Sequence, residues 1–133
     1  MERHTILEAD YCLLLTFAGF FIFTGNISRI PQVAGLLAAI ASGREIAVGI
    51  IVSQFISNVP TALLLSGFVE NINKLIIGVN IGGLGTLIAS MASLISYKLY
   101  VNENPNNKGK YFKCFTLYNI IFLIILSGIA YVL

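Results

Sequence analysis

The chain has 133 residues, of which 57% are hydrophobic and only 11% charged, where a soluble domain carries about 25% charged residues. With a mean hydropathy of +0.89 and a net charge of +2, it reads as an integral membrane protein and excludes a water-soluble enzyme or a nucleic-acid-binding domain. At about 20 residues per crossing, this length allows four or five membrane segments and leaves no room for a separate soluble domain.

Residues 1–10 contain Glu2, Glu8 and Asp10 and lack a small-residue cleavage pattern, so they do not form a secretory signal. Residues 11–27 are nearly uncharged and rich in Leu, Phe and Ile, and predict a first transmembrane helix. Arg29 and Pro31 end it. Residues 32–42 form an Ala/Leu segment too short to span, which predicts an interfacial helix. Residues 46–68 are long enough to cross, yet Ser57-Asn58-Val59-Pro60 divides them into two pieces of about half the spanning length. Residues 75–97 form a further apolar segment, interrupted at Asn80-Ile81-Gly82-Gly83-Leu84-Gly85-Thr86. Residues 98–113 carry Lys98, Lys108, Lys110 and Lys113 against Glu103 alone and read as a cytoplasmic loop. Residues 116–133 are the last transmembrane helix.

Two geometries suit residues 46–68: a kinked span, or a re-entrant hairpin that leaves on the side it entered. With a cytoplasmic basic loop, residues 75–97 enter from outside. A first helix running outward then puts Arg44 outside as well, and charge favours the hairpin with its tip at Ser57 to Pro60. The kinked span requires a cytoplasmic Arg44.

Irregular backbone survives at membrane depth only where it faces protein or an aqueous cavity, and paired interrupted segments point to the substrate and ion sites of secondary transporters. At the first break, Asn58 can cap the following half-helix and Pro60 falls in its first turn. The N-terminus of that half-helix, near Thr61, suits a carboxylate or oxyanion. The preceding half-helix ends near Ile56 and Ser57 with carbonyls suited to sodium. At the second break, Gly82, Gly83 and Gly85 permit close backbone approach, and Thr86 is the natural cap of the next half-helix. Thr86, Ser90, Ser93 and Tyr97 then form a polar stripe at helical spacing, with Gly85, Ala89 and Ser93 as a small-residue stripe.

Neither break contains Asp, Glu, His, Lys or Arg, so sodium held by neutral oxygens fits better than a proton relay or a multivalent-cation cage. Glu45, Glu70 and Lys74 lie near segment boundaries and are expected to be solvated. Cys12 and Cys114 have no metal-ligand spacing and read as unpaired apolar residues. No nucleophile stands beside a base, and the glycine run lacks the strand and acidic partner of a dinucleotide site. No enzymatic activity and no cofactor are expected.

Through Gly43-Arg44-Glu45, Ser53-Gln54-Phe55-Ile56-Ser57-Asn58-Val59-Pro60 and Gly78-Val79-Asn80-Ile81-Gly82-Gly83-Leu84-Gly85-Thr86, the chain resembles the ion transporter superfamily of citrate transporter-like anion permeases, divalent anion/sodium symporters and arsenite-pump permeases. The resemblance implies an all-α integral membrane fold: the C-terminal half of an inverted-repeat secondary transporter, with one re-entrant helical hairpin and one broken transmembrane helix. It implies sodium-coupled movement of a di- or tricarboxylate-like anion across the cell membrane by a multi-pass protein. Substrate contacts then fall to Ser57, Asn58, Thr61 and Thr86, and ion contacts to Ser57, Asn58, Gly82, Gly83, Gly85 and Thr86, with no metal beyond sodium. Val59 stands where the symporters carry Thr, which removes one hydroxyl. The expected partners are a small anionic solute, membrane lipid, and a second transporter half supplied by a homodimer or a separate chain. An arsenite-type or sodium/proton antiporter branch, an inactive fragment and a membrane scaffold are the alternatives.

Overall fold

A computed structural model of the protein describes residues 11–27 and 29–132. The expectations for residues 1–10, Ser28 and Leu133 lie outside them. Every regular element among the described residues is helical: α1 Tyr11–Ile27, α2 Pro31–Ala41, α3 Glu45–Ile56, α4 Asn58–Ser66, α5 Ile72–Gly82, a 3-10 turn Leu87–Ala89, α6 Met91–Glu103, a 3-10 turn Pro105–Asn107, and α7 Lys108–Val132. Local chemistry sets several boundaries. Pro31 occupies the first turn of α2, where its missing N–H costs nothing. Asn71 caps α5 by accepting from the Lys74 amide at 3.1 Å.

Close backbone contacts fix how the central helices run. A Cβ on Gly78 would lie 2.6 Å from the Ile46 carbonyl oxygen, and one on Gly82 would lie 2.8 Å from Ile50 Cα. As numbers rise along α5 they rise along α3, so the two helices are parallel. The small-residue pair Gly78 and Gly82, facing Gly49 across the contact, lets the backbones touch as small residues do in packed membrane helices. Only residues 67–71 separate α4 from α5, so α4 must run back towards the level where α3 began. Consistent with this reversal at Ser57, Val48 early in α3 and Leu65 late in α4 belong to one buried cluster with Ala41, Leu75 and Val79.

Helix α7 measures the depth of the assembly. At its C-terminal end, Ala130 and Tyr131 line a cavity of about 310 Å³ together with Arg44, Glu45 and Lys74, so the start of α3 and the start of α5 lie at that end. Gly85 lies level with Leu123, whose Cδ1 would be 3.2 Å from a Cβ there. Both interruptions therefore sit partway along α7, and α6 continues to the Lys108 end. The segment Pro105–Val132, 28 residues, is long and apolar enough to cross a membrane, and Leu117, Ile121 and Ile124 on it are exposed, as are Leu15, Ile22 and Phe23 on α1. Apolar surface this extensive needs lipid or protein against it.

Several boundaries and roles differ from the sequence expectation. Residues 98–113 are largely helical, because α6 runs to Glu103 and α7 starts at Lys108; lysines continue a helix as readily as they flank one. The interruption after α5 is Gly83 to Ser90, later than expected, and Ser90 is extended at φ −142°, ψ 137°. The stripes Thr86/Ser90/Ser93/Tyr97 and Gly85/Ala89/Ser93 consequently do not lie on one helix face. Asn58 is the first residue of α4 and not its cap; Ser57 holds that position without a side-chain cap bond. Glu45 is buried, at 3% exposure, with Oε1 accepting from the Gly43 amide at 3.3 Å, whereas Glu70 and Lys74 are exposed as expected.

Candidate functional site

One residue, Ser57, makes the whole connection between α3 and α4. Its N–H donates to the Ser53 carbonyl and its carbonyl accepts from the Thr61 amide, so it closes one helix and opens the next. This requires φ 74°, ψ 153°, a conformation that glycine adopts freely and that costs an L-residue about 1–3 kcal/mol. Its side chain is buried, and Oγ reaches the Ala89 carbonyl at 3.5 Å, the outer limit of a hydrogen bond. A strained serine persists here because the packing around it over-determines its position.

Gln54, one turn before Ser57, joins the two interruptions. Its Nε2 donates to the carbonyls of Gly82 at 2.7 Å and Leu84 at 3.0 Å, and its Oε1 accepts from the Thr86 amide at 3.1 Å. The Thr86 hydroxyl in turn donates to the Gln54 backbone carbonyl at 3.1 Å. An amide carries donor and acceptor on one planar group, so only this orientation serves two carbonyls and an N–H together. Gly85 closes around it at φ +104°, and a Cβ there would fall 2.5 Å from Gln54 Oε1. Sequence reasoning assigns Gln54 no role, although it carries a signal: a primary amide amid apolar residues, one turn before a helix break.

The expected site residues divide by what their polar atoms already do. Thr61 is fully buried and its hydroxyl donates to the Ser57 carbonyl at 2.7 Å. Thr86 is doubly engaged, donating to Gln54 and accepting from the Ala89 amide at 3.2 Å. Gly82 packs against α3, and Gly83 lies beneath Asn58, whose Nδ2 would be 3.0 Å from a Cβ there. The half-buried Asn58 side-chain amide has no hydrogen-bond partner among the described residues, and the Asn58 and Val59 N–H groups and the Phe55 and Ile56 carbonyls stand in terminal turns, where a helix supplies no partner of its own. The structure thus brings Ser57, Asn58, Gly82, Gly83, Gly85 and Thr86 to one crossing, with Thr61 a turn behind it.

Electrostatically the crossing has two poles. The C-termini of α3 and α5 arrive side by side, each carrying roughly half a negative charge, while the N-terminus of α4 carries roughly half a positive one. No Asp, Glu, His, Lys or Arg lies in residues 46–69 or 75–97, so these backbone dipoles and neutral oxygens set the local field. Among the described residues no group of three or more His, Cys, Asp or Glu forms a metal-binding cluster. Carbonyls and a neutral amide therefore gather at the negative pole, and backbone N–H groups at the positive one.

The chain is 33% identical, over its entire length, to a protein named inner membrane protein YbiR from Escherichia coli, of which it spans 35%. It is 35% identical over 93% of its length to a protein named uncharacterized transporter MJ0456 from Methanocaldococcus jannaschii, again spanning 35% of that protein. The chain therefore covers about a third of the length of the curated relatives it matches. No protein-family model and no solved structure matches it. Its composition, its long apolar helix and these two similarities agree on a helical membrane protein.

Proposed function

We propose that this chain forms one half of the binding site of a secondary transporter of the citrate transporter-like kind, taking sodium and part of a small carboxylate-like anion at the crossing of α3, α4 and α5. The single observation that carries this reading is the Gln54 clamp, which holds a helix reversal and a helix break together while leaving the Asn58 amide unpaired above Gly83. With α7 crossing the bilayer, the level of Leu123 is the middle of its apolar stretch. The α3–α4 hairpin is then re-entrant, and α5 and α6 are the two halves of a broken span. Polar groups left unpaired at such depth are costly in lipid, and a bound ion and solute satisfy them.

In this reading sodium lies among the Ile56 and Phe55 carbonyls, the Ser57 hydroxyl and the Asn58 amide oxygen. The anion meets the Asn58 and Val59 N–H groups, and Thr61 and Thr86 set the backbone around both. The relatives' greater length is consistent with a second set of such elements completing the site, from another segment or another copy.

The test is uptake of citrate, succinate or phosphate into vesicles under an inward sodium gradient, by the assembled transporter. Asn58→Ala removes a ligand to charge worth about 1.5–3 kcal/mol, and so is expected to reduce sodium-dependent uptake roughly 10- to 150-fold. Uptake that ignores sodium, or an Asn58→Ala protein that transports normally, would contradict the proposal.

A further inference from the structure

The lysine-bearing end of α7 has features that the transport reading does not use. Lys108, Lys110 and Lys113 are exposed within its first two turns, and Lys98 is exposed on the facing helix α6. Against these stands one acidic residue, Glu103. Between the two helices the rings of Tyr100 and Tyr111 stack at 4.2 Å and those of Tyr111 and Phe115 at 5.8 Å. The Tyr111 hydroxyl pairs with Ser96 Oγ at 3.0 Å, so the stack is held in place. Beside it lies an open cavity of about 300 Å³ lined by Tyr100, Asn107, Lys110, Tyr111 and Cys114.

Aromatic rings with polar tips collect at the headgroup level of a bilayer, which puts this cavity where lipid phosphates lie. Asn107 ends the 3-10 turn that leads directly into α7, on which Lys110 and Cys114 follow at helical spacing and Tyr118, Ile121 and Ile125 continue the same face. All three of the latter are exposed. A polar, cationic head and an apolar track of helical pitch beneath it match the two ends of a phospholipid. We infer that this corner is a binding site for an anionic phospholipid, its phosphate held by Lys110 and Lys113 with Asn107, and one acyl chain lying along Cys114, Tyr118, Ile121 and Ile125. Lysine meets phosphate as a point charge, and basic clusters at the ends of membrane helices attract anionic headgroups. Zwitterionic lipid offers the same phosphate but cancels its charge, so the site discriminates by net charge. The inference stands on the membrane reading alone and is independent of transport.

The experiment titrates fluorescent phosphatidylglycerol and phosphatidylcholine onto the purified protein in detergent micelles. Phosphatidylglycerol is expected to bind about tenfold or more tightly than phosphatidylcholine, and K110Q/K113Q to weaken it roughly 10- to 30-fold. K110R/K113R and K74Q, the latter at the opposite end of α7, are expected to retain it. Affinity in the unaltered protein is expected to fall as salt rises, a readout that needs no variant to fold. Equal binding of the two lipids, salt-independent affinity, an unaffected K110Q/K113Q protein, or displacement by inorganic phosphate as effectively as by unlabelled phosphatidylglycerol would each overturn the assignment.

Discussion

Replacing Gln54 with leucine is expected to lower the stability of the protein by about 2–4 kcal/mol, because the Gly82 and Leu84 carbonyls lose their donor where α5 packs against α3. Leucine has nearly the volume of glutamine, so little of the loss arises from packing. The two carbonyls account for most of it: Gly82 is buried and Leu84 half-buried, whereas Thr86 is exposed and its amide can turn to solvent. Thermal melting in detergent measures the effect. Gln54→Glu separates the clamp from simple polarity. A carboxylate still accepts from the Thr86 amide but presents oxygen to both carbonyls, so it is expected to destabilise at least as much as leucine. An unchanged melting temperature in both variants would mean that Gln54 does not hold the crossing together.

Gly85→Ala is expected to do comparable damage by a different route. The backbone at φ +104° disfavours any residue with a Cβ by about 1–3 kcal/mol, and the added carbon would fall 2.5 Å from Gln54 Oε1 and 3.2 Å from Leu123 Cδ1. The glutamine head has to leave its backbone partners or the break has to open. Since both substitutions dismantle the same contact, their combination is expected to cost less than the sum of the two, a coupling of about 0.5–3 kcal/mol. A double-mutant cycle on melting temperatures measures it. Strict additivity would show that Gly85 and Gln54 act independently.

The interruptions are legible in the sequence because Pro60 and the glycines are expensive inside apolar helices and therefore stand out. So is the helical character of α1, a run rich in Leu and Phe. The clamp itself is not. Gln54 owes its role to partners 28 to 32 residues away, and no local pattern reports which backbone carbonyls a side chain will meet. The polar stripe through Thr86 fails for the converse reason: helical spacing does not carry across Ser90, whose extended backbone ends the register. Glu45 misleads because nearness to a segment end does not ensure exposure; the chain turns at Gly43, φ +72°, and folds its amide over the carboxylate. The main small-residue contact lies at Gly49, Gly78 and Gly82, one helix earlier than the stripe through Gly85, because parallel α3 and α5 need their backbones to touch below the break.

Gln54, Ser57 and Gly85 together describe a crossing whose geometry is costly to build. Ser57 is strained, Gly85 cannot be replaced without loss, and the Asn58 amide stays unpaired. Such concentrations of strain and unmet hydrogen bonding occur where a protein contacts something other than itself.

The most direct test of a hydrated, ion-binding crossing is the reactivity of a cysteine at Val59, with Cys12 and Cys114 changed to serine and the protein reconstituted in vesicles. Val59 is 45% exposed at the tip and Leu63, one turn further along α4, is 52% exposed, so accessibility alone does not separate them. A thiol reacts with a charged maleimide only where water can ionise it. Val59→Cys is predicted to label readily and to be protected by sodium together with anion, while Leu63→Cys stays unlabelled against lipid. A Val59→Cys protein that resists labelling as fully as Leu63→Cys, or that labels at the same rate with and without sodium and anion, would contradict a site at this tip.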